Sequence, residues 1–68
     1  MEALVRTNDL VRLSFLVALL ADGGIAAEVL DQAASSMDGS IGAVPRRLVV
    51  TGGDAPAARR ILHEAGEL

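Results

Sequence analysis

Cysteine, lysine, tryptophan and tyrosine are all missing from this chain, and phenylalanine occurs once, as Phe15. Each absence removes a class of chemistry. Without cysteine there can be no disulfide and no thiolate metal site, a composition compatible with the cytosol. Without lysine there is no Schiff-base nucleophile and no phosphate-binding lysine of the Walker type. With one Phe and no Trp or Tyr there is no aromatic platform on which bases could stack. The net charge of −3 also opposes phosphate backbones, so no nucleic-acid partner is expected. Long apolar runs are missing too. Leu13 to Ala21 is the longest, far short of the roughly 20 residues that span a bilayer. The opening Met1-Glu2-Ala3-Leu4-Val5-Arg6 lacks a basic region followed by an apolar one. The expectation is a soluble cytoplasmic protein with no membrane partner.

What is present is modest. The 68 residues suffice for one small α+β domain over 1–68. A chain of this size buries a limited fraction of its surface, so it needs a staple. With disulfides excluded, oligomerisation is the staple this composition permits, and a homodimer or other homo-oligomer is expected. Hydrophobic residues make up 51% of the chain but lean on alanine, so the apolar volume is smaller than the count suggests.

The elements are legible in order. Residues 3–7, "ALVRT", read as a strand, with Ala3 and Val5 on one face and Leu4 and Arg6 on the other. Asn8-Asp9 supplies a helix start, because a short polar side chain can accept from an orphan N–H. Leu13, Leu16, Val17 and Leu20 recur at helical spacing and make a core stripe. Gly23-Gly24 ends that helix. Residues 25–31 read as a second strand and 47–51, "RLVVT", as a third and most apolar one. Asp54 is a candidate N-cap, and Pro56 suits a first helical turn. Ala58, Ile61, Leu62 and Ala65 form the core stripe of the second helix, with Arg59, Arg60, His63 and Glu64 facing away; Gly66 stops it.

The order is β-α-β-β-α. A right-handed β-α-β crossover leaves a gap between strands one and two. Strand three fills it antiparallel to both. The result is a three-stranded antiparallel sheet of order 1-3-2 with two helices on one face: a truncated, ferredoxin-like split β-α-β arrangement. No residues follow Leu68 to add a strand beside the first, so its outer edge is expected to be unpaired and open to a partner.

Taken together, "RTND", a helix ending in "GGI", "DQ", "GSIG", "PRRLVV" and "DAPAARRILHEAG" resemble a family of short bacterial domains of unknown function. That family carries the description "putative prokaryotic signal-transducing protein". The resemblance runs from about Ala3 to Gly66 and brings no catalytic set. Members are similar in fold to the PII-type, ferredoxin-like regulators. The resemblance therefore implies an α+β sandwich with a regulatory or binding role. In PII-type proteins the long connection between strands two and three contacts effectors and partners, and here that connection is residues 32–46. No PII nucleotide motif recurs in this chain, and no cofactor is expected.

The stretch "GSIGAVPRRLVV", residues 39–50, carries the densest set of candidate residues. Gly39, Ser40 and Gly42 lack the spacing and the lysine of a Walker loop, and they lead into a strand rather than a helix. They read either as a compact loop entry or as a cradle for a ligand. Arg46 and Arg47, adjacent at a strand start, should point to opposite sheet faces. They are solvated charge, or one of them holds an anion with its planar fork. His63 has no further ligands at metal spacing. Ser35, Ser36 and Ser40 have no oriented base, and Glu28, Asp31 and Asp38 form no paired arrangement. No enzyme activity is expected.

The first helix carries a second signal. Val11, Phe15 and Leu19 follow at i, i+4 and i+8, away from the core stripe. A helix apolar on two sides is normally covered on two sides. Two readings follow. In the first, the chain is a regulatory binding module whose loop 32–46, with Arg46 and Arg47, contacts a small anionic ligand or a protein partner. In the second, it is an interaction or oligomerisation module that uses Val11, Phe15, Leu19 and the edge of strand one, without a small-molecule ligand.

Overall fold

A computed structural model describes residues 1–30 and 45–68. Its elements are β1 (Glu2–Thr7), α1 (Leu10–Asp22), β2 (Glu28–Leu30), β3 (Arg46–Val50), a 3-10 turn (Gly52–Asp54) and α2 (Ala55–Glu64). The sheet order is β1-β3-β2, with both outer strands antiparallel to the central one. This is the expected β-α-β-β-α topology. β3 earns its central place by composition: Leu48, Val49 and Val50 are all buried.

One cluster holds the molecule together. Val5 of β1 and Leu48 and Val50 of β3 meet Leu13, Leu16 and Leu20 of α1, and Ala55, Ala58 and Leu62 of α2. Both helices therefore cover the same sheet face. Val49 lies outside that cluster yet is only 3% exposed. Alternation along the strand puts it on the helix-free face.

α1 begins as its sequence suggests. The Asp9 carboxylate accepts from the Arg12 backbone N–H at 3.0 Å, satisfying one orphan donor of the first turn. Its end is a Schellman motif. Gly24, at φ +85°, donates to Ala21 O, and Ile25 N–H donates to Leu20 O at 2.9 Å. α2 ends the same way. Gly66, at φ +78°, donates to His63 O, and Glu67 N–H donates to Leu62 O at 2.8 Å. Glycine is needed at both stops because a Cβ disfavours this left-handed backbone.

Four expectations need correction. β2 starts at Glu28 rather than at residue 25, because the Ile25 N–H closes α1 and its side chain is buried in the core. The far end of the expected strand, Asp31, lies outside the described residues. Asp54 occupies the N-cap position of α2 but makes no capping bond. Its carboxylate instead accepts from the Thr51 hydroxyl at 3.1 Å, since the 3-10 turn already holds it in helical backbone. Ala65 is exposed, as the chain turns away there, and Ala55 takes its place in the core.

The fourth correction concerns β1. Ala3 pairs with Val49 and Val5 with Leu48, so Leu4 is the extra residue of a β-bulge. Ala3 and Val5 thus lie on opposite faces, not on the same one. Leu4, expected opposite Val5, packs against the same core. The bulge resets the alternation, and that reset decides where Arg6 goes.

Candidate functional site

The register of the sheet builds the site. Leu48 and Val50 belong to the helix-facing core, so Arg47, like Val49, belongs to the helix-free face. Arg46 falls on the helix face, opposite Thr7. The two adjacent arginines therefore separate to opposite faces, as strand alternation requires. After the bulge, Val5 enters the core and Arg6 turns to the helix-free face, where it stands directly opposite Arg47. On the other side of Arg47 stands Leu30 of β2.

Directly opposed side chains on antiparallel strands have Cβ atoms roughly 4.5–5.5 Å apart, and like charges so placed repel. No ion pair among the described residues neutralises this pair. Arg12 is paired with Glu67 and Arg59 with Glu2, whereas neither Arg6 nor Arg47 meets a carboxylate among the described residues. Arg6 is exposed and Arg47 half-buried. The Nε of Arg47 is fully buried and has no hydrogen-bond partner among the described residues. A buried donor left without an acceptor costs on the order of 1–3 kcal/mol. Glu28 shares this face opposite Val49, one diagonal step from Arg47, and makes no ion pair among the described residues.

Two planar guanidinium forks on one face can hold an oxyanion by paired N–H···O bonds. They cannot by themselves transfer a proton or attack a substrate. His63 is exposed in the last turn of α2. Among the described residues no three histidine, aspartate or glutamate side chains come together as a metal site. Among the described residues, too, no helix is long and apolar enough to cross a membrane.

Gly39, Ser40 and Gly42, and the connection 32–46 except for its last two residues, lie outside the described residues. Its flanks are described. Leu30, before it, and Arg47, just after it, are register partners, so the connection leaves and re-enters the sheet beside the arginine pair. Arg6 is the functional candidate that sequence reasoning missed. Its position opposite Arg47 depends on the bulge, which local pattern does not reveal.

On α1, Val11 and Phe15 are 81% and 53% exposed, whereas Leu19 is half-buried and packs against the core. The ridge expected from spacing is thus open at its first two positions and closed at its third.

Residues 1–66 match the family model described as "Putative prokaryotic signal transducing protein". The chain belongs to this family. The match covers both helices, all three strands and the arginine pair. No curated protein and no solved structure matches the chain.

Proposed function

We propose that this member of the signal-transducing family is a non-enzymatic regulatory module that reads a small anionic ligand, a phosphate ester or a carboxylate, at Arg6 and Arg47. The observation that carries the reading is the directly opposed pair Arg6 and Arg47, neither of which meets a carboxylate among the described residues. Cross-strand like charges are a standing cost to the sheet. A bound anion converts that cost into attraction.

The ligand state can be passed on through the connection between β2 and β3. The described flanks of that connection, Leu30 and Arg47, stand beside the pair, so an anion bound there sits where β2 and β3 are joined. A ligand acts as a signal only through its differential affinity for two states of the protein. Arg46, on the opposite face, stands outside the anion's reach in this reading.

The test is a melting series followed by circular dichroism, since the chain has no Trp or Tyr to report unfolding. Inorganic phosphate, pyrophosphate, a nucleoside monophosphate and a dicarboxylate are titrated against the parent and the Arg6→Gln/Arg47→Gln double variant. A ligand at 100 times its Kd adds about 2.7 kcal/mol, a rise of many degrees for a domain this small. The reading requires such a rise in the parent and its loss in the double variant. No rise with any anion, or a rise the double variant keeps, overturns it.

A further inference from the structure

The two helices differ in what they show to solvent. α2 presents Arg59, Arg60, His63 and Glu64, all exposed. α1 carries no charged residue between Arg12 and Asp22. Its exposed positions in that interval are Ser14, Phe15, Ala18 and Ala21, preceded by Leu10 at 54% and Val11 at 81% exposure. Phe15, the chain's sole Phe, Tyr or Trp, is half open to water on this face.

The pattern along the face is directional. At about 100° per residue, Val11, Phe15, Ala18 and Asp22 form one stripe away from the buried Leu13, Leu16 and Leu20. The stripe is bulky at its N-terminal half and small at its C-terminal half. A surface of this kind is complementary to itself when reversed. In an antiparallel pairing of two copies, Phe15 sits over the partner's Ala18 and Val11 lies beside the partner's Asp22, with both relations repeated by the two-fold axis.

Charge points the same way. Asp22 is exposed at the C-terminal end of its own helix, where the macrodipole disfavours an acid. Reversed against a second copy, it comes to the N-terminal end of the partner helix, next to the partner's Arg12. Arg12 uses its Nε and one Nη on Glu67, and its fork keeps further donors.

We infer that α1 is a two-fold self-association surface whose occupant is α1 of a second copy, antiparallel, with Phe15 seated on the partner's Ala18. The size of the interface sets its strength. Leu10, Val11 and Phe15 expose on the order of 300 Å² of apolar surface per copy, the scale of a functional patch. With its polar rim the paired face approaches the roughly 1,000 Å² total that a specific reversible interface requires. The dimer is therefore weak, with a dissociation constant in the range of micromolar or above, and exchanges with monomer. This inference stands apart from the anion reading, since neither surface shares a residue with the other.

Two measurements test it on the full chain. Sedimentation equilibrium across about 10 μM to 1 mM should show a monomer–dimer equilibrium. Phe15→Asp and Ala18→Glu, both at exposed positions, should each keep the parent's circular dichroism and weaken association at least tenfold. The second measurement reads geometry, and the cysteine-free background makes it clean. Val11→Cys and Asp22→Cys chains should give an oxidised dimer when mixed, and little when either is oxidised alone. A parent that stays monomeric at 1 mM overturns the inference, and so does a folded Phe15→Asp or Ala18→Glu chain that associates as the parent does. Cross-linking of each variant with itself but not in mixture overturns the antiparallel arrangement.

Discussion

Arg12, in the first turn of α1, is tied twice to Glu67, just past the glycine that stops α2. Its Nε meets the Glu67 carboxylate at 3.1 Å, and its Nη2 donates to the Glu67 backbone carbonyl at 3.0 Å. Glu67 is also the residue whose N–H closes the α2 Schellman motif on Leu62. One guanidinium therefore joins the beginning of one helix to the terminating turn of the other. A Schellman motif is frequently accompanied by a hydrophobic contact from the residue at this position; here that residue, Glu67, makes an ion pair with the other helix.

Arg12→Met should cost about 1 kcal/mol, since it keeps the apolar stem and removes both bonds. Glu67→Gln should cost less, because the backbone carbonyl still accepts. Urea midpoints, with the slope unchanged, give both values. Equal losses in the two variants would place the strength in the carboxylate alone.

The two glycine stops make a second pair of predictions. Gly24→Ala and Gly66→Ala force a Cβ into φ near +80° and should each cost about 1–2 kcal/mol. Neither side chain would collide with anything within 4 Å, so the loss is one of backbone conformation and not of packing. Gly52→Ala and Gly53→Ala have the same open space and no positive φ. They should change stability by less than about 0.5 kcal/mol in either direction. Chemical denaturation of the four variants separates the cases. Gly23→Ala is different again, because its Cβ would stand 2.7 Å from Ile61 Cδ1, the flexible end of a side chain that can turn aside.

These glycines also show why much of the fold was legible from residues alone. Each follows an apolar stripe of helical period, so both helix ends could be placed by local pattern. The sheet order followed from the handedness of one crossover and from the apolar character of "LVV". The errors differ in origin. Ile25 reads as a strand residue because it is apolar and β-branched, yet its N–H is taken by the helix before it. "ALVRT" reads as simple alternation because a bulge leaves no local mark; it is settled by which β3 residue each position meets. Arg6 was missed for the same reason. Cross-strand partnership is a long-range fact, and only Arg46 and Arg47, adjacent in sequence, stood out without it.

Core and surface substitutions on α1 should separate sharply. Leu16 is fully buried among β3 and α2 residues, and Leu16→Ala should cost about 2–5 kcal/mol. In a domain of this size that is a large part of the total, and much of the population should be unfolded at 37 °C. Val11→Ala, five residues earlier and 81% exposed, should leave the thermal midpoint of the monomer within a few degrees. Melts at low concentration, where self-association does not contribute, provide the comparison.

Removing a charge from the arginine pair should stabilise the empty sheet. Arg6 is exposed and makes no ion pair among the described residues, so Arg6→Gln deletes no favourable contact seen there. It does delete the repulsion with Arg47 across the strands, worth about 0.2–1 kcal/mol. In low salt without phosphate the variant should therefore melt above the parent. Added salt should narrow the gap, because exposed charges are screened within about 10 Å at 0.1 M. With a bound anion the order should invert, since the parent then gains an attraction that the variant has lost. A variant less stable than the parent in anion-free buffer would mean that Arg6 makes a favourable contact and that the pair is already neutralised within the chain. The crossing of the two melting curves as anion is added is therefore the signature that distinguishes a binding pair from two solvated charges.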